Sequence, residues 1–294
     1  MTVLETNGLT KNYKNICAVN HLDLQIEQGH LYGILGPNGS GKTTTLGMLL
    51  DIIRPTAGSF RWFGQTPSAQ QRKRIGAILE TPNFYPYMNA VQNLELVAHI
   101  KQISTTEIPE LLEVVGLSER ALTPFKSYSL GMKQRLAIAG ALLGDPEVLI
   151  FDEPTNGLDP QGIVEVRNLL IEIGARGKTI LLASHIIDEV EKICDHVAII
   201  KYGNLLTSGP VSEILSQEPI IEVAADDMHA LKKVLSESRL TQSCNLFGTH
   251  FELQLQAGID AKEINKFAFE QGLILTHLKT RKKSLEAEFL ERTS

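Results

Sequence analysis

The sequence predicts a mixed α/β fold over residues 1–216 and a smaller α+β unit over residues 219–294. Apolar runs in EVLIFDE, TILLAS and HVAII alternate with helix-patterned segments at 161–174 and 188–194, which is typical of an α/β core with parallel strands. Between Asn89 and Leu143 the apolar residues follow helical spacing, which indicates a helical insert. The pattern changes again after the QEP segment, where we place the seam between the two domains.

The remaining elements follow in order along the chain. Short strands are predicted in VLETNGLTKNY, LDLQIE and HLYGILG, and a further strand in SFRWFG after the turn at PTAG. TTTLGMLLDII is predicted to be a helix, because Leu46, Leu49, Leu50 and Ile53 lie on one helical face. The last predicted segments of the first domain are NLLTSG and VSEIL. In the second, strand and helix are predicted to alternate through IIEVAA, MHALKKVLSE, HFELQLQ, AKEINKFAFEQ, ILTHLKT and LEAEFLER.

Composition excludes several classes of protein. A net charge of −6 over 294 residues gives no electrostatic footprint for nucleic acid, so we expect no nucleic-acid partner. The chain has three cysteines, Cys17, Cys194 and Cys244. An odd number of cysteines at wide spacing argues against a disulfide framework or a cysteine-based zinc site. The N-terminus lacks a basic stretch followed by an apolar run, and no segment has the length of uncharged residues that a membrane span needs. We therefore expect a cytoplasmic protein whose membrane role, if any, comes through a partner.

One glycine-rich loop carries the clearest chemistry. In GILGPNGSGKTTTLGMLL the spacing G-x-x-x-x-G-K-[ST] lies between a predicted buried strand and a predicted helix. Glycines let successive N–H groups converge at the positive end of the helix, which is a seat for phosphate. Lys42 would reach the β- and γ-phosphates, and the Thr43 hydroxyl would ligate Mg²⁺. The alternative is a glycine-rich turn with a solvated lysine. The predicted nucleotide-binding residues are Gly36, Pro37, Asn38, Gly39, Ser40, Gly41, Lys42, Thr43 and Thr44.

Two further strand ends carry candidate catalytic residues. VLIFDEP ends in Asp152 and Glu153, where Asp152 would hold Mg²⁺ through water and Glu153 would polarise the attacking water as general base. The alternative is that the acidic pair caps the next turn. His185 follows TILLAS at another strand end, where ligand-facing residues of a parallel sheet collect, and could donate to a γ-phosphate oxygen. A structural histidine is the alternative there.

Five motifs in fixed order give the chain a family resemblance. GPNGSGKTT, YSLGMKQRL, VLIFDEP, NGLDP and ASH together resemble the nucleotide-binding subunits of ATP-binding cassette (ABC) transporters, over roughly residues 3–216. The resemblance implies a P-loop NTPase cassette with an antiparallel β subdomain and a helical insert. It also implies MgATP hydrolysis coupled to a separate membrane permease, and a position on the inner face of the membrane through that permease.

The resemblance also implies residue roles that the spacing alone does not. Ser129 and Gly131 would close over the γ-phosphate of an opposite subunit, and Asp159 would lie at the dimer seam. Tyr13 would stack on adenine, with a strand aromatic in the core as the alternative. His185 would be the family's switch histidine. Since the chain has one phosphate loop and one signature motif, two chains, or this chain and a homologous one, would be required.

Two departures from the family pattern narrow the resemblance. Leu130 replaces the first of two glycines after the signature serine, and Glu80 stands where most relatives have a glutamine that reaches Mg²⁺ and the attacking water. The alternative is that Glu80 only caps the turn at Thr81-Pro82. With both departures, the sequence resembles the ATP-binding subunits of exporters that give self-protection against bacitracin or lantibiotics. The C-terminal unit is similar to the C-terminal appendage of those subunits.

Three functions are compatible with at least part of the motif set. The first is an ATPase that powers export of a peptide antibiotic or another amphiphile. The second is a soluble cassette ATPase of a ribosomal or nucleic-acid machine, a class that usually has two cassettes or a long coiled-coil insert. The third is a module that binds ATP without hydrolysing it, which an intact Glu153 and His185 oppose.

Overall fold

A computed structural model describes residues 1–79, 81–215, 220–238, 240–256, 258–281, 285–286 and 289. Its contacts divide the chain into two units, Met1–Val211 and Ser212–Ser294, and each is described by itself. Within the described residues, no helix is both long enough and apolar enough to cross a lipid bilayer.

Strands and helices alternate through the first unit. Its strands are β1 (Thr2–Tyr13), β2 (Ile16–Leu22), β3 (Gln25–Glu27), β4 (Leu31–Leu35), β5 (Ala57–Trp62), β6 (Ile75–Ile78), β7 (Val148–Asp152), β8 (Thr179–Ser184), β9 (His196–Lys201) and β10 (Asn204–Pro210). Its helices are α1 (Lys42–Leu49), α2 (Ala69–Arg72), α3 (Ala90–Lys101), α4 (Ile108–Val114), α5 (Leu130–Leu142), α6 (Pro160–Ala175) and α7 (Ile187–Ile193). A short helix, α8 (Val211–Ile214), spans the division between the units.

Two sheets build the first unit. The smaller is antiparallel, with strand order β2-β1-β3 and β5 paired to β1. The larger has the order β10-β9-β4-β8-β7-β6 and is parallel except for β10 at its edge. Every residue of β4, β7 and β8 is buried, as expected for parallel strands covered on both faces. These two sheets confirm the predicted α/β core.

The register of the large sheet brings three strand ends together. Leu35 pairs with Ser184, and Asp152 pairs with Ala183, so β4, β7 and β8 end at the same edge. The residues that follow these strands are Gly36, Glu153 and His185. The fold therefore brings the three candidate motifs to one place.

The helical insert comprises α3, α4 and α5. Helix α3 begins with a reciprocal capping box, in which the Asn89 side chain accepts from Gln92 N and the Gln92 side chain accepts from Asn89 N. Helix α5 begins at the Ser129 cap, which places the YSLGMKQRL motif at its N-terminus.

Helix α1 ends earlier than its apolar pattern predicts. The backbone of Asp51 is left-handed, with φ of 61°, and the N–H groups of Ile52 and Ile53 both donate to the Gly47 carbonyl. A Cβ on Gly47 would lie 2.7 Å from Cδ1 of Ile53, so the missing side chain lets Ile53 fold back over the helix. Leu50 and Ile53 thus pack against the core from a turn.

The second unit is a four-stranded antiparallel sheet with two helices. Its elements are β11 (Ile220–Ala225), α9 (Met228–Glu237), β12 (Thr241–Phe247), β13 (His250–Leu255), α10 (Ala261–Glu270) and β14 (Leu275–Arg281), with strand order β12-β13-β11-β14. Its apolar core is built from its own residues, among them Val223, Leu231, Leu253 and Ile264. Strand β12 was not predicted, and most of the predicted LEAEFLER segment lies outside the described residues.

Candidate functional site

The glycine-rich loop between β4 and α1 is shaped by its glycines. A Cβ on Gly36 would lie 2.3 Å from the Ile200 carbonyl oxygen, and one on Gly41 would lie 2.3 Å from the Ala18 carbonyl oxygen. Gly41 also has a φ of 108°, and Gly39 one of 79°. Side chains at these positions would collide or be strained, so the loop keeps its shape only with glycine.

The second feature of the glycine-rich loop is the set of polar groups where it meets the start of α1. Gly41 caps the helix without a side chain, so no side-chain acceptor covers the first N–H groups. The Thr45 hydroxyl donates to the Gly41 carbonyl at 2.9 Å. The Ser40 hydroxyl is buried and has no hydrogen-bond partner among the described residues. An N-terminus whose first donors have no side-chain cap, with an unpaired hydroxyl beside it, suits an anion.

Lys42 lies over this loop and is buried. Its side chain is 6% exposed, and its Nζ donates to the carbonyl oxygens of Gly36 at 2.8 Å and Pro37 at 3.4 Å. The burial of Lys42 contradicts the alternative of a solvated lysine.

The backbone at the end of β7 turns sharply. Asp152 is the last residue of the strand and is 5% exposed. Glu153 has a left-handed backbone, with φ of 50°, and its N–H donates to the Ala183 carbonyl at 2.9 Å. Consecutive strand residues point to opposite faces, but this turn breaks the alternation. As a result, both carboxylates line the same cavity.

The Glu153 carboxylate links the three strand ends. Its Oε1 lies 3.5 Å from Lys42 Nζ, and its Oε2 lies 2.8 Å from His185 Nδ1. The Oε2 also accepts from the His185 N–H at 3.4 Å and the Ser184 hydroxyl at 3.5 Å. His185 contacts the Glu153 carboxylate through both its ring and its backbone N–H, and these two contacts orient the carboxylate. The His185 side chain therefore does more than fill space at the end of β8.

A cavity of about 520 Å³ opens beside these groups. Thr43, Asp152 and Glu153 line it, and so do five residues without a predicted role: Thr81, Pro82, Leu130, Gln134 and Asn156. Glu80, predicted to act on Mg²⁺ and water, lies outside the described residues. The structure thus brings the two predicted metal ligands, Thr43 and Asp152, to the cavity that holds the predicted general base.

Ser129, Gly131 and Asp159 lie together at two helix N-termini. The Ser129 hydroxyl accepts from Met132 N at 3.2 Å and caps α5, and the Asp159 carboxylate accepts from Gly162 N at 3.0 Å and caps α6. A Cβ on Gly131 would lie 3.8 Å from Gly162 Cα. Both polar side chains therefore have a structural role in this chain, and they are not among the residues that line the 520 Å³ cavity.

Tyr13 lies at the end of β1, where it pairs with Ile16 across the β1–β2 hairpin. It is 44% exposed, and Lys11 Nζ lies 5.0 Å from the centre of its ring. This exposure contradicts the alternative that Tyr13 is a core aromatic. The ring is available to stack on a ligand.

Sequence reasoning missed some polar neighbours of the site. Ser184, Gln134 and Asn156 approach the Glu153 carboxylate or the cavity beside it. Ser184 immediately precedes His185 within the ASH motif, so its position at a strand end was available as a signal. Gln134 and Asn156 lie within the YSLGMKQRL and NGLDP motifs, but their approach to the cavity depends on how α5 and the turn after β7 pack, which the motifs do not specify.

Known proteins are similar to this chain over most of its length. A family model described as ABC transporter matches residues 19–156. The chain is 36% identical over 294 residues to the bacitracin transport ATP-binding protein BcrA of Enterococcus faecalis, covering 98% of this chain and 95% of that protein. It is 46% identical over 218 residues to BcrA of Bacillus licheniformis, covering 72% of this chain and 71% of that protein.

Solved structures show the same fold. One is the dimeric post-hydrolysis state of the ATP-binding cassette MJ0796 bound to ADP and phosphate. It is 25% identical to this chain, with a TM-score of 0.63, and the match covers 71% of this chain and 98% of that one.

Proposed function

Because the chain belongs to the ATP-binding proteins of ABC transporters, we propose that it powers the export of a peptide antibiotic or another amphiphile through a separate membrane permease. It is an ATP-hydrolysing subunit. The observation that carries the proposal is the position of the Glu153 carboxylate between Lys42 and His185, at the joint end of three parallel strands.

Each polar group at the site has a distinct task in the proposed reaction. The N–H groups of the loop and the Lys42 ammonium bind the β- and γ-phosphates. The Glu153 carboxylate accepts a proton from the attacking water. His185 donates to Oε2 of that carboxylate through Nδ1, at 2.8 Å. In the imidazolium form both ring nitrogens carry a proton, so the other nitrogen can then donate to a γ-phosphate oxygen. Tyr13 stacks on the adenine ring.

The residues present fit Mg²⁺. Thr43 and Asp152 offer a hydroxyl and a carboxylate oxygen at one cavity, and oxygen donors are those that Mg²⁺ prefers. We propose that these two residues hold the ion, with Glu80 as a further oxygen donor suggested by the sequence. When bound, Mg²⁺ neutralises charge on the phosphates.

Closure by a second cassette completes the proposed site. Ser129 and Gly131 would meet the γ-phosphate bound to an opposite chain, with Asp159 at the seam. The exposed position of this loop at the start of α5 supports the proposal, as does the dimeric state of the related cassette MJ0796. ATP binding then brings two chains together, and hydrolysis lets them separate.

The substrate class rests on the similarity to the two BcrA proteins, whose names state bacitracin transport. The similarity to the Enterococcus faecalis protein extends through the C-terminal unit, since it covers 98% of this chain. We place the protein at the inner face of the cell membrane, held there by its permease. A nucleic-acid machine is not favoured, because the net charge is −6.

The proposal is tested by isolating the protein from detergent-solubilised membranes of its own cells through an affinity tag. We expect an integral membrane protein to co-purify in a fixed ratio, and ATPase activity to rise when a peptide antibiotic is added to the reconstituted complex. Lys42→Ala serves as the catalytically dead control. Recovery with ribosomes or nucleic acid, and no membrane protein, would overturn the proposal.

A further inference from the structure

Two histidines share one aspartate at the end of the large sheet where β4 and β9 begin. His30 immediately precedes β4, Asp195 immediately precedes β9, and His196 is the first residue of β9. His30 Nδ1 lies 3.1 Å from Asp195 Oδ2, and His196 Nδ1 lies 2.8 Å from Asp195 Oδ1. We call these three residues the His30 cluster. It has no part in the proposed ATPase reaction.

The backbone fixes the position of the shared carboxylate. The Asp195 N–H donates to the Leu31 carbonyl at 3.0 Å, and the Leu31 N–H donates to Asp195 Oδ1 at 3.1 Å. The two imidazole rings pack edge to face, with centroids 4.4 Å apart, and Tyr32 packs against His196 at 4.7 Å. These contacts hold the three side chains together before any ligand arrives, so little ordering remains for a ligand to impose.

The spacing of the donor atoms suits a small divalent ion. One donor atom from each of the three residues can be chosen so that all lie within 4.8 Å of one another. Ligands of a tetrahedral zinc ion, at about 2.0–2.1 Å from the metal, lie roughly 3.4 Å apart. The distances from Asp195 to the Nδ1 atoms of His30 and His196 are 3.1 and 2.8 Å. They differ from the ligand spacing of a zinc ion by less than the movement that a side-chain rotation provides.

The donor types select the metal. Two imidazole nitrogens and one carboxylate are ligands for Zn²⁺ and its neighbours in the first transition series, whereas Mg²⁺ and Ca²⁺ prefer oxygen alone. The His30, Asp195 and His196 side chains are 38%, 49% and 18% exposed, so an ion and a water molecule as fourth ligand can reach them. We propose that the His30 cluster binds Zn²⁺.

A second group of candidate ligands, in the second unit, is less suited to a metal ion than the His30 cluster. In the second unit, Glu222, His250 and Glu252 also bring donor atoms within 4.8 Å of one another. Arg281 already neutralises that group, since its Nε lies 3.2 Å from Glu222 and its Nη2 lies 2.6 Å from Glu252. By contrast, in the part of the chain that the structure describes, the ion pairs of Asp195 are those with His30 and His196.

Bound Zn²⁺ would join two segments that are far apart in the sequence. The site lies at the start of β4, whereas the phosphate loop follows its end, about 16 Å away along five residues. We therefore expect the ion to stabilise the first unit without entering the ATP site, because a ligand that binds only the folded chain raises its stability.

The test uses the full chain after removal of metal with a chelator and dialysis. Zn²⁺ alone is titrated by calorimetry, and Co²⁺ alone is followed by its visible absorption, which reports tetrahedral coordination by nitrogen and oxygen. We expect one Zn²⁺ per chain, a higher melting temperature with Zn²⁺, and at least about tenfold weaker binding in His30→Gln and in His196→Gln. His99→Gln, a change at an exposed histidine of α3, should bind Zn²⁺ as the wild type does.

Two further variants keep the test decisive. Asp195→Asn keeps an acceptor for the Leu31 N–H but loses the charge, so it should also weaken Zn²⁺ binding while melting normally in chelator. His250→Gln reports on the cluster in the second unit. Unchanged Zn²⁺ binding in either His30→Gln or His196→Gln would overturn the proposal, as would loss of the Zn²⁺ site in His250→Gln alone.

Discussion

His185 Nδ1 lies 2.8 Å from Glu153 Oε2, although the two residues are 32 positions apart in the sequence, at the ends of β8 and β7. The same carboxylate reaches Lys42 with its other oxygen, at 3.5 Å. A carboxylate held between the buried Lys42 ammonium and an imidazole has its orientation fixed from both sides.

Glu153→Gln should abolish steady ATP turnover and leave ATP binding intact, because the amide cannot accept the proton from water but the phosphate loop is unchanged. We expect a loss of about 10³-fold in kcat, and an ATP-dependent dimer in sizing chromatography. Glu172→Gln, the same change on the exposed face of α6, is the control. If the Glu153 variant stays monomeric with ATP, and the wild type also never dimerises, the two-chain mechanism is wrong.

His185→Ala should lower kcat by about 10²-fold with little change in ATP affinity, since it removes a hydrogen-bond donor to the phosphate and the support of Glu153. Single-turnover kinetics and equilibrium binding of a fluorescent ATP analogue separate the two effects. His99→Ala on α3 controls for loss of an exposed histidine. An equal loss of affinity and turnover would show that His185 acts in binding.

Lys42→Ala should weaken ATP binding by about 30-fold, because a hydrogen bond to a charged group contributes about 2 kcal/mol. Calorimetric titration of the purified chain with ATP measures the change. The matched control is Lys266→Ala, which removes a lysine that is 77% exposed on α10. Unchanged ATP affinity in Lys42→Ala would mean that the glycine-rich loop does not seat the phosphates.

A chain that ends at Ser216 should remain folded and bind ATP within about threefold of the full chain, because the second unit has its own apolar core. The check is a cooperative thermal transition together with an ATP titration, run beside the full chain. Insolubility of the shortened chain, or a broad transition, would indicate that residues 219–294 complete the main core.

The stability contributed by Glu147 should depend on pH. Arg74 donates to both oxygens of this carboxylate, at 2.5 and 2.8 Å, and these bonds hold the pKa of Glu147 below its ordinary value of 4.5. A carboxylate with a depressed pKa stabilises the fold above the unfolded pKa, and this contribution is lost as the pH falls through the folded pKa.

Urea unfolding of the wild type and of Glu147→Gln, repeated across pH values, measures that dependence. We expect a constant difference in the free energy of unfolding above about pH 5.5, and a shrinking difference below about pH 4.5. Arg74→Gln and the double variant complete a cycle that isolates the pair. A difference that persists at low pH would assign the effect to packing.

The sequence predicted the parts of the fold that depend on local pattern. Apolar runs identified β4, β7 and β8. The glycine-rich loop, the acidic pair and the histidine at the ends of these strands predicted one ATP site, since parallel strands deliver their carboxyl ends to one edge. The family motifs added roles for Ser129, Gly131 and Asp159 that remain predictions.

Features that depend on distant contacts were not predictable from pattern. Strand β12 has mixed polarity, with exposed Leu246 and Phe247 at its end, so its alternation is weak. Helix α1 stops at Leu49 because Ile53 packs back over Gly47, which a helical wheel does not reveal. The His30 cluster joins residues 165 positions apart, and no spacing rule in one chain brings His30 to Asp195.

The left-handed backbone of Glu153, with φ of 50°, has a consequence for how sequence variation acts on this protein. Glycine adopts such a φ freely, whereas other residues are disfavoured there by about 1 kcal/mol. The backbone therefore favours glycine at the very position where the proposed hydrolysis needs a carboxylate. The backbone and the carboxylate therefore make opposite demands at this residue: glycine would relieve the strain, but it would leave the buried Lys42 ammonium without its ion-pair partner.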